Sequence, residues 1–165
     1  MNKPLASIII TNYNYGRFLP EAIDSALNQN YQPIEVIVVD DGSTDGSQQI
    51  IANYGKQIIP LVKENGGQGS AFNGGFAKSR GEVICFLDAD DVLLPSAIAK
   101  AVELLRDPNI VQVHWPLYAI DADGKPLEKF IPDQPLPEGD LRNVHLHGRI
   151  DSHVFSPTSG NAWSR

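Results

Sequence analysis

Ile34-Glu35-Val36-Ile37-Val38-Val39-Asp40-Asp41-Gly42-Ser43-Thr44-Asp45 is the stretch that decides the fold. A nearly unbroken β-branched run lacks the alternation of a half-exposed strand, so it suits a strand covered on both faces of a parallel sheet. It stops at two carboxylates and a glycine. Ser43 or Thr44 is then placed to cap a helix over about residues 45–54. The same grammar recurs on either side. Leu5 to Thr11 is an apolar run broken by Asn12-Tyr13-Asn14-Tyr15-Gly16, and Glu82 to Leu87 is another, closed by Asp88-Ala89-Asp90-Asp91.

Helices are predicted between these strands. Phe18, Ala22 and Ala26 share a stripe with Leu19, Ile23 and Leu27, which predicts a helix over about 18–28 with Pro20 tolerated in its first turn. Ile58 to Val62 reads as a third strand. The loop Asn65-Gly66-Gly67-Gln68-Gly69 leads into a helix over about 70–79, and Pro95 opens another, to about Arg106, with Ile98, Val102 and Leu105 inward. Ile110 to His114 is a fifth strand. The turn signal Asp121-Ala122-Asp123-Gly124 predicts a hairpin between Trp115–Ile120 and Pro126–Phe130. This alternation predicts an α/β fold with a mostly parallel central sheet and helices on both faces. From Ile131 prolines accumulate and periodicity fades, which predicts a long loop to about His153. A strand-like pattern resumes from Val154 to Arg165. The expected division is an α/β domain over 1–130 and a loop with the start of a further region over 131–165.

Composition narrows the function. The chain has 165 residues and a formal net charge of -7, without a Lys/Arg cluster, which argues against nucleic-acid binding. The lone Cys85 lies in an apolar run and reads as a small buried hydrophobe, so no disulfide is expected. No stretch approaches the ~20 apolar residues of a membrane span, and Leu5 to Ile10 is too short for a signal-peptide core. A cytoplasmic location is expected, with peripheral membrane attachment open through a segment outside this sequence.

In open parallel sheets ligands bind beyond the carboxyl ends of the strands. Thr11-Asn12-Tyr13-Asn14, Asp40-Asp41 and Asp88-Ala89-Asp90-Asp91 all fall there. Two like charges about 4 Å apart repel by roughly 4 kcal/mol at an effective dielectric of 20. Helix capping, for which Asp91 stands ahead of Pro95, relieves part of this. A divalent cation relieves more, and oxygen-only ligands favour Mg²⁺ or Mn²⁺ over zinc. The glycine loop is neither a dinucleotide fingerprint nor a Walker A sequence. Residues 65–69 can still bring backbone N–H groups to a ligand at a helix start.

The motifs Ser7 to Asn14, Glu35 to Asp45, Glu64 to Gly69 with Asn73, and Gly81 to Asp91 with Pro95 resemble those of the family 2 glycosyltransferases, whose fold is GT-A, a Rossmann-like nucleotide-diphospho-sugar transferase fold. Ser159 to Arg165 resembles a segment near the sugar and acceptor. The resemblance implies metal-dependent, inverting sugar transfer from a nucleotide donor, with a UDP-sugar the commonest choice, to a saccharide or lipid-linked acceptor. It implies that Thr11 and Tyr13 contact the nucleoside, Tyr13 by stacking. Asp41 or Asp40 would bond the base, and Asp88 would approach the ribose or the metal. Asp90 would be the principal carboxylate on Mg²⁺ or Mn²⁺, with Asp91 next. Asn65, Gly66, Gly69 and Asn73 would line the nucleotide. Phe72 stands where the family commonly has an arginine. The family's acidic base segment has no counterpart here, and Asp151 and His153 are substitutes by composition only. The sequence therefore reads as truncated, and a donor-binding fragment without turnover is the alternative. A receiver-like domain is disfavoured because its acidic pair would follow the first strand. A sugar nucleotidyltransferase would carry a glycine-rich first loop in place of Thr11-Asn12-Tyr13-Asn14.

Overall fold

The computed structural model describes residues 2–121, 123–136, 138–139 and 158–165. It divides into two compact units, Met1–Val113 with Ala162–Arg165, and His114–Asn161.

The first unit is built on a six-stranded sheet. Strand β1 (Ala6–Asn12) is buried along its whole length. It pairs in parallel with β2 (Ile34–Asp40) on one side and β4 (Val83–Asp88) on the other. Beyond β2 lies β3 (Ile59–Val62), also parallel. The order is β3-β2-β1-β4-β8-β5, with β5 at Gln112–His114 and β8 at Asn161–Ser164. The chain thus winds outward from β1 to β3, then returns to the far side of β1 as β4. Between β1 and β4 the winding reverses, and an open sheet forms its crevice at such a point.

Both sheet faces are covered, as the β-branched runs require. Ile9, Ile37, Val39 and Ile84 form one packed cluster with Ala71 of helix α3 (Gln68–Lys78). The alternate residues Ile8, Ile10, Val36 and Val38 are buried on the opposite face. Helix α3 approaches closely because Gly75 has no side chain: a Cβ there would lie 2.3 Å from Ile9 Cγ2. Helix α1 (Leu19–Leu27) buries Leu19, Ala22, Ile23 and Ala26, the predicted stripe, with Phe18 at its N-cap. Helix α4 (Ala97–Leu104) buries Ile98, Ala101 and Val102. Cys85 is free and buried, and burial pushes its thiol up to about 12.

Two capping expectations are corrected. Helix α2 (Ser47–Asn53) has Gly46 at its N-cap, and Asp45 rather than Ser43 or Thr44 accepts the Ser47 N–H, at 2.9 Å. Ser43 and Thr44 instead tie the turn after β2 to the turn after β1. Helix α4 begins at Ala97 with Ser96 at its N-cap, which leaves Asp91 outside its first turn.

The carboxyl-terminal strand pattern forms β8, antiparallel to β4 with Cys85 opposite Ala162. It lies between β4 and β5, so chain order alone misplaces β5. Trp163 packs edge-on against Phe86 at 5.7 Å. In the second unit the predicted hairpin is present as β6 (Leu117–Ile120) and β7 (Pro126–Ile131), with Tyr118 and Phe130 rings 4.3 Å apart. Among the described residues no helix is long and apolar enough to cross a membrane.

Candidate nucleotide site at the switch point

Register brings the candidate residues to one edge. Asn12 pairs with Asp40, and Thr11 with Asp88, so the last residues of β1, β2 and β4 end together. Beyond them lies a cleft of about 340 Å³, lined on the β1 side by Thr11, Asn12, Tyr13 and Tyr15 and by Asp41, Asn65, Gly67, Gln68, Ala71, Asp88, Ala89 and Asp90.

The wall after β1 is pinned to the turn after β2. Asn14 adopts a left-handed backbone, φ 59°. Its N–H donates to Ser43 Oγ at 2.9 Å, and its Oδ1 accepts the Thr44 N–H at 2.7 Å. The Gly16 N–H donates to Asp45 Oδ2 at 2.9 Å. Tyr13 and Tyr15, anchored on either side by these bonds, remain 48% and 46% exposed, enough ring surface for a planar ligand. Asn12 donates to Asp40 at 2.8 Å and to Ser43 Oγ at 3.1 Å, while its buried Oδ1 has no hydrogen-bond partner in the structure.

The two acids after β2 separate. Asp40 is fully buried and accepts from Asn12 Nδ2, from the Ser43 N–H at 3.1 Å and from Gln48 Nε2 at 3.3 Å, so it holds a turn and does not line the cleft. Asp41 does line the cleft. Its carboxylate accepts from Lys63 Nζ and from the N–H groups of Gly66 and Gly67. Burial pushes its pKa up, and Lys63 with the two N–H groups outweighs that, leaving it below the ordinary value. Of the loop N–H groups expected to meet a ligand, those of Gly66 and Gly67 are taken by Asp41. The loop sits tight against the turn: Gly42 has φ +80°, and a Cβ there would lie 2.7 Å from Asn65 N.

The acids after β4 are placed differently. Asp88 accepts from Gln68 Nε2 at 3.0 Å and from Thr11 Oγ1 at 3.3 Å. Burial raises its pKa, and the neighbouring charges of Asp91 and Asp90 raise it further against those two hydrogen bonds. Asp90 is exposed and lines the cleft. Of the five carboxylates at these strand ends, Asp41, Asp88 and Asp90 line the cleft, Asp40 is spent on its turn, and Asp91 lies outside the lining but close enough for its charge to raise Asp88. Among the described residues no group of three or more His, Cys, Asp or Glu is set to hold a metal alone. Adjacent carboxylates that repel one another still fit Mg²⁺ or Mn²⁺, which commonly combine one or two carboxylates with substrate phosphate oxygens.

The family model for glycosyl transferase family 2 matches residues 7–159. This chain belongs to that family. An uncharacterized glycosyltransferase of Nostoc sp. is 42% identical over 163 residues, covering 96% of this chain and 50% of the relative. Another, of Rickettsia prowazekii, is 44% identical over 133 residues, covering 79% of this chain and 42% of the relative. The chain therefore spans half or less of these curated relatives. Among solved structures, S. aureus TarS 1-349 superposes with a TM-score of 0.67 at 23% identity, covering 96% of this chain and 46% of that one. The mannosyltransferase PcManGT from Pyrobaculum calidifontis, in complex with GDP-Man and Mn2+, superposes with a TM-score of 0.68 at 22% identity, covering 100% of this chain and 46% of that one. These likenesses establish the GT-A fold.

Within this family 2 chain, several expected residues fall away from the cleft lining. Gly66 touches Asp41 through its backbone, Gly69 lies inside α3, and Asn73 is exposed on α3. Phe72 packs on Phe86 at 4.8 Å, so an aromatic cluster fills the position where the family commonly has an arginine. Asp151 and His153 lie outside the described residues. Sequence reasoning missed Tyr15, Gln68 and Lys63. Tyr15 repeats the Asn-Tyr pair of Asn12-Tyr13 and was legible in principle. Gln68 and Lys63 are single polar residues whose roles depend on partners remote in sequence.

Proposed function

We propose that this chain is the donor-binding part of a glycosyltransferase, one that moves a sugar from a nucleoside diphosphate to an acceptor hydroxyl. One observation carries the reading. The switch-point cleft is lined both by the exposed rings of Tyr13 and Tyr15 and by the carboxylates of Asp88 and Asp90. A nucleotide-sugar has matching chemistry, with a flat base at one end and a diphosphate that recruits a cation at the other.

In this reading Tyr13 stacks on the base while Thr11 and Asp41 bond the nucleoside, with uracil as the base. An aspartate has about four acceptor sites. At Asp41, Lys63 bonds Oδ1, Gly67 bonds Oδ2 and the Gly66 N–H is shared between the two, so a base N–H would share an oxygen with these donors. Asp88, held by Thr11 and Gln68, takes the ribose or the cation, and Asp90 takes Mg²⁺ or Mn²⁺. A divalent cation bound there would offset the negative charge that develops on the leaving diphosphate. Attack by the acceptor hydroxyl at the anomeric carbon inverts the sugar. The base for that step is not assigned among the described residues.

The test is calorimetric titration of UDP into the protein with and without Mn²⁺. Saturable, metal-dependent binding is expected. No heat from UDP, GDP, CDP or ADP with Mn²⁺ would overturn the proposal. Transfer assays on the same protein then separate a competent enzyme from a donor-binding fragment, a distinction made pertinent by its covering 50% of the Nostoc relative.

A further inference from the structure

Lys63 lies at a place fixed by the sheet. Asp40 pairs with Val62 at the end of the β2–β3 ladder, and the Lys63 N–H donates to the Asp40 carbonyl at 3.0 Å. The next residues along the two strands are therefore Asp41 and Lys63. Asp41 is 3% exposed, and a buried carboxylate is costly unless it is paired. Lys63 supplies the charge, and its Nζ also donates to the Glu64 carbonyl at 2.5 Å. The Gly66 N–H is shared between both Asp41 oxygens, at 3.1 and 3.2 Å, and the Gly67 N–H reaches Oδ2 at 2.8 Å. Asn65 Nδ2 closes the arrangement on the Asp41 carbonyl at 3.0 Å. Asp41, Asn65 and Gly67 line the cleft, whereas Lys63 does not.

We infer that Lys63 is a positioning residue that sets base selectivity through Asp41. The ammonium bonds one oxygen and the loop N–H groups bond both, so the carboxylate is held in one orientation. A carboxylate free to turn would offer different sites to different bases. Pinned by Lys63, it discriminates in favour of the base whose N–H meets it in that orientation. This inference rests on the nucleotide-binding reading above.

The test is a panel of Kd values for UDP, GDP, CDP and ADP with Mn²⁺ on the wild type, Lys63→Met, Lys63→Gln and Lys63→Arg. Lys63→Met keeps the apolar stem, Lys63→Gln keeps a donor without charge, and Lys63→Arg keeps the charge. Circular dichroism and Tm accompany each. With Lys63→Met the preferred nucleotide is expected to lose about tenfold in affinity, the amount that follows from one charge-assisted hydrogen bond. The others change less, so the spread across the panel narrows. Lys63→Gln falls between, and Lys63→Arg restores part of the spread. If Lys63→Met does not fold, Lys63→Gln carries the same test. An unchanged ratio among the four nucleotides, with or without a uniform loss of affinity, overturns the inference while the nucleotide-binding reading stands. If the wild type binds none of the four, both fall together.

Discussion

The turns after β2 and after β4 look alike in sequence, each an apolar strand closed by clustered aspartates, yet the structure uses them in opposite ways. After β2, Asp40 and Asp41 accept hydrogen bonds from Asn12, Ser43, Gln48, Lys63, Gly66 and Gly67. After β4, Asp88 accepts from Gln68 and Thr11 but is still raised by burial and by its like-charged neighbours, and Asp90 is exposed. Acids whose donors outweigh their burial hold a turn together. Acids held close against mutual repulsion are where a cation and a diphosphate lower the free energy. Clustered aspartates alone therefore do not announce a ligand site. Their donors decide.

The contrast is sharpest in stability. Asp40→Ala strands the buried Asn12 amide and the Ser43 N–H, and is expected to cost about 3 kcal/mol by urea denaturation. Asp90→Ala, at an exposed site, should stay within about 0.5 kcal/mol of the wild type. Equal losses in the two variants would erase the distinction between the turns.

Also in the cleft lining, Tyr13→Ala should weaken nucleotide binding by about 1–3 kcal/mol, the range for base–aromatic stacking. Calorimetry checks it, and an unchanged Kd removes the ring from the site. Asn14→Gly keeps the left-handed backbone but loses the Oδ1 contact to Thr44. Its effect should be in the same direction and smaller, because the Asn14 N–H still reaches Ser43.

Acid sharpens the comparison more gently. Burial pushes Glu35 up, but hydrogen bonds from Ser7 and Arg80 and the Arg80 charge outweigh it, so its folded pKa lies below the ordinary value. Asp45 is lowered first by its bond from Ser47, and Asp41 is lowered as described. Each therefore contributes stability that is present above its unfolded value and lost as pH falls through the folded one. Asp88, raised by burial, works the other way and gains stability as pH falls through its folded value, but the three lowered acids outnumber it, so urea midpoints should decline below about pH 4. Glu35→Gln should flatten part of that decline, and an acid decline as steep in Glu35→Gln as in the wild type would contradict the assignment.

Much of the architecture was legible because strands β1, β2 and β4 are buried on both faces, and burial of that kind writes itself as continuous apolar runs. The hairpin was legible from its turn residues. The position of β8 was not, because a short strand pairing with β4 from the far end of the chain carries no local signal of its partner. Within the site, the resemblance left Asp40 and Asp41 as alternatives. Strand alternation separates them in the structure, with Asp40 buried in the manner of Val38 and Val36 and Asp41 turned to the cleft lining. Lys63 and Gln68 were illegible for another reason: each matters only through a carboxylate on another strand.

The most direct measurement is the Kd for UDP at saturating Mn²⁺ in the wild type and in Asp90→Ala, with unfolding midpoints on the same samples. Metal-dependent binding in the wild type, its loss in the folded variant and matching midpoints are the expected result. A folded Asp90→Ala that binds UDP with wild-type affinity and the same Mn²⁺ requirement would contradict the assignment of the β4 acids to the cation and its diphosphate.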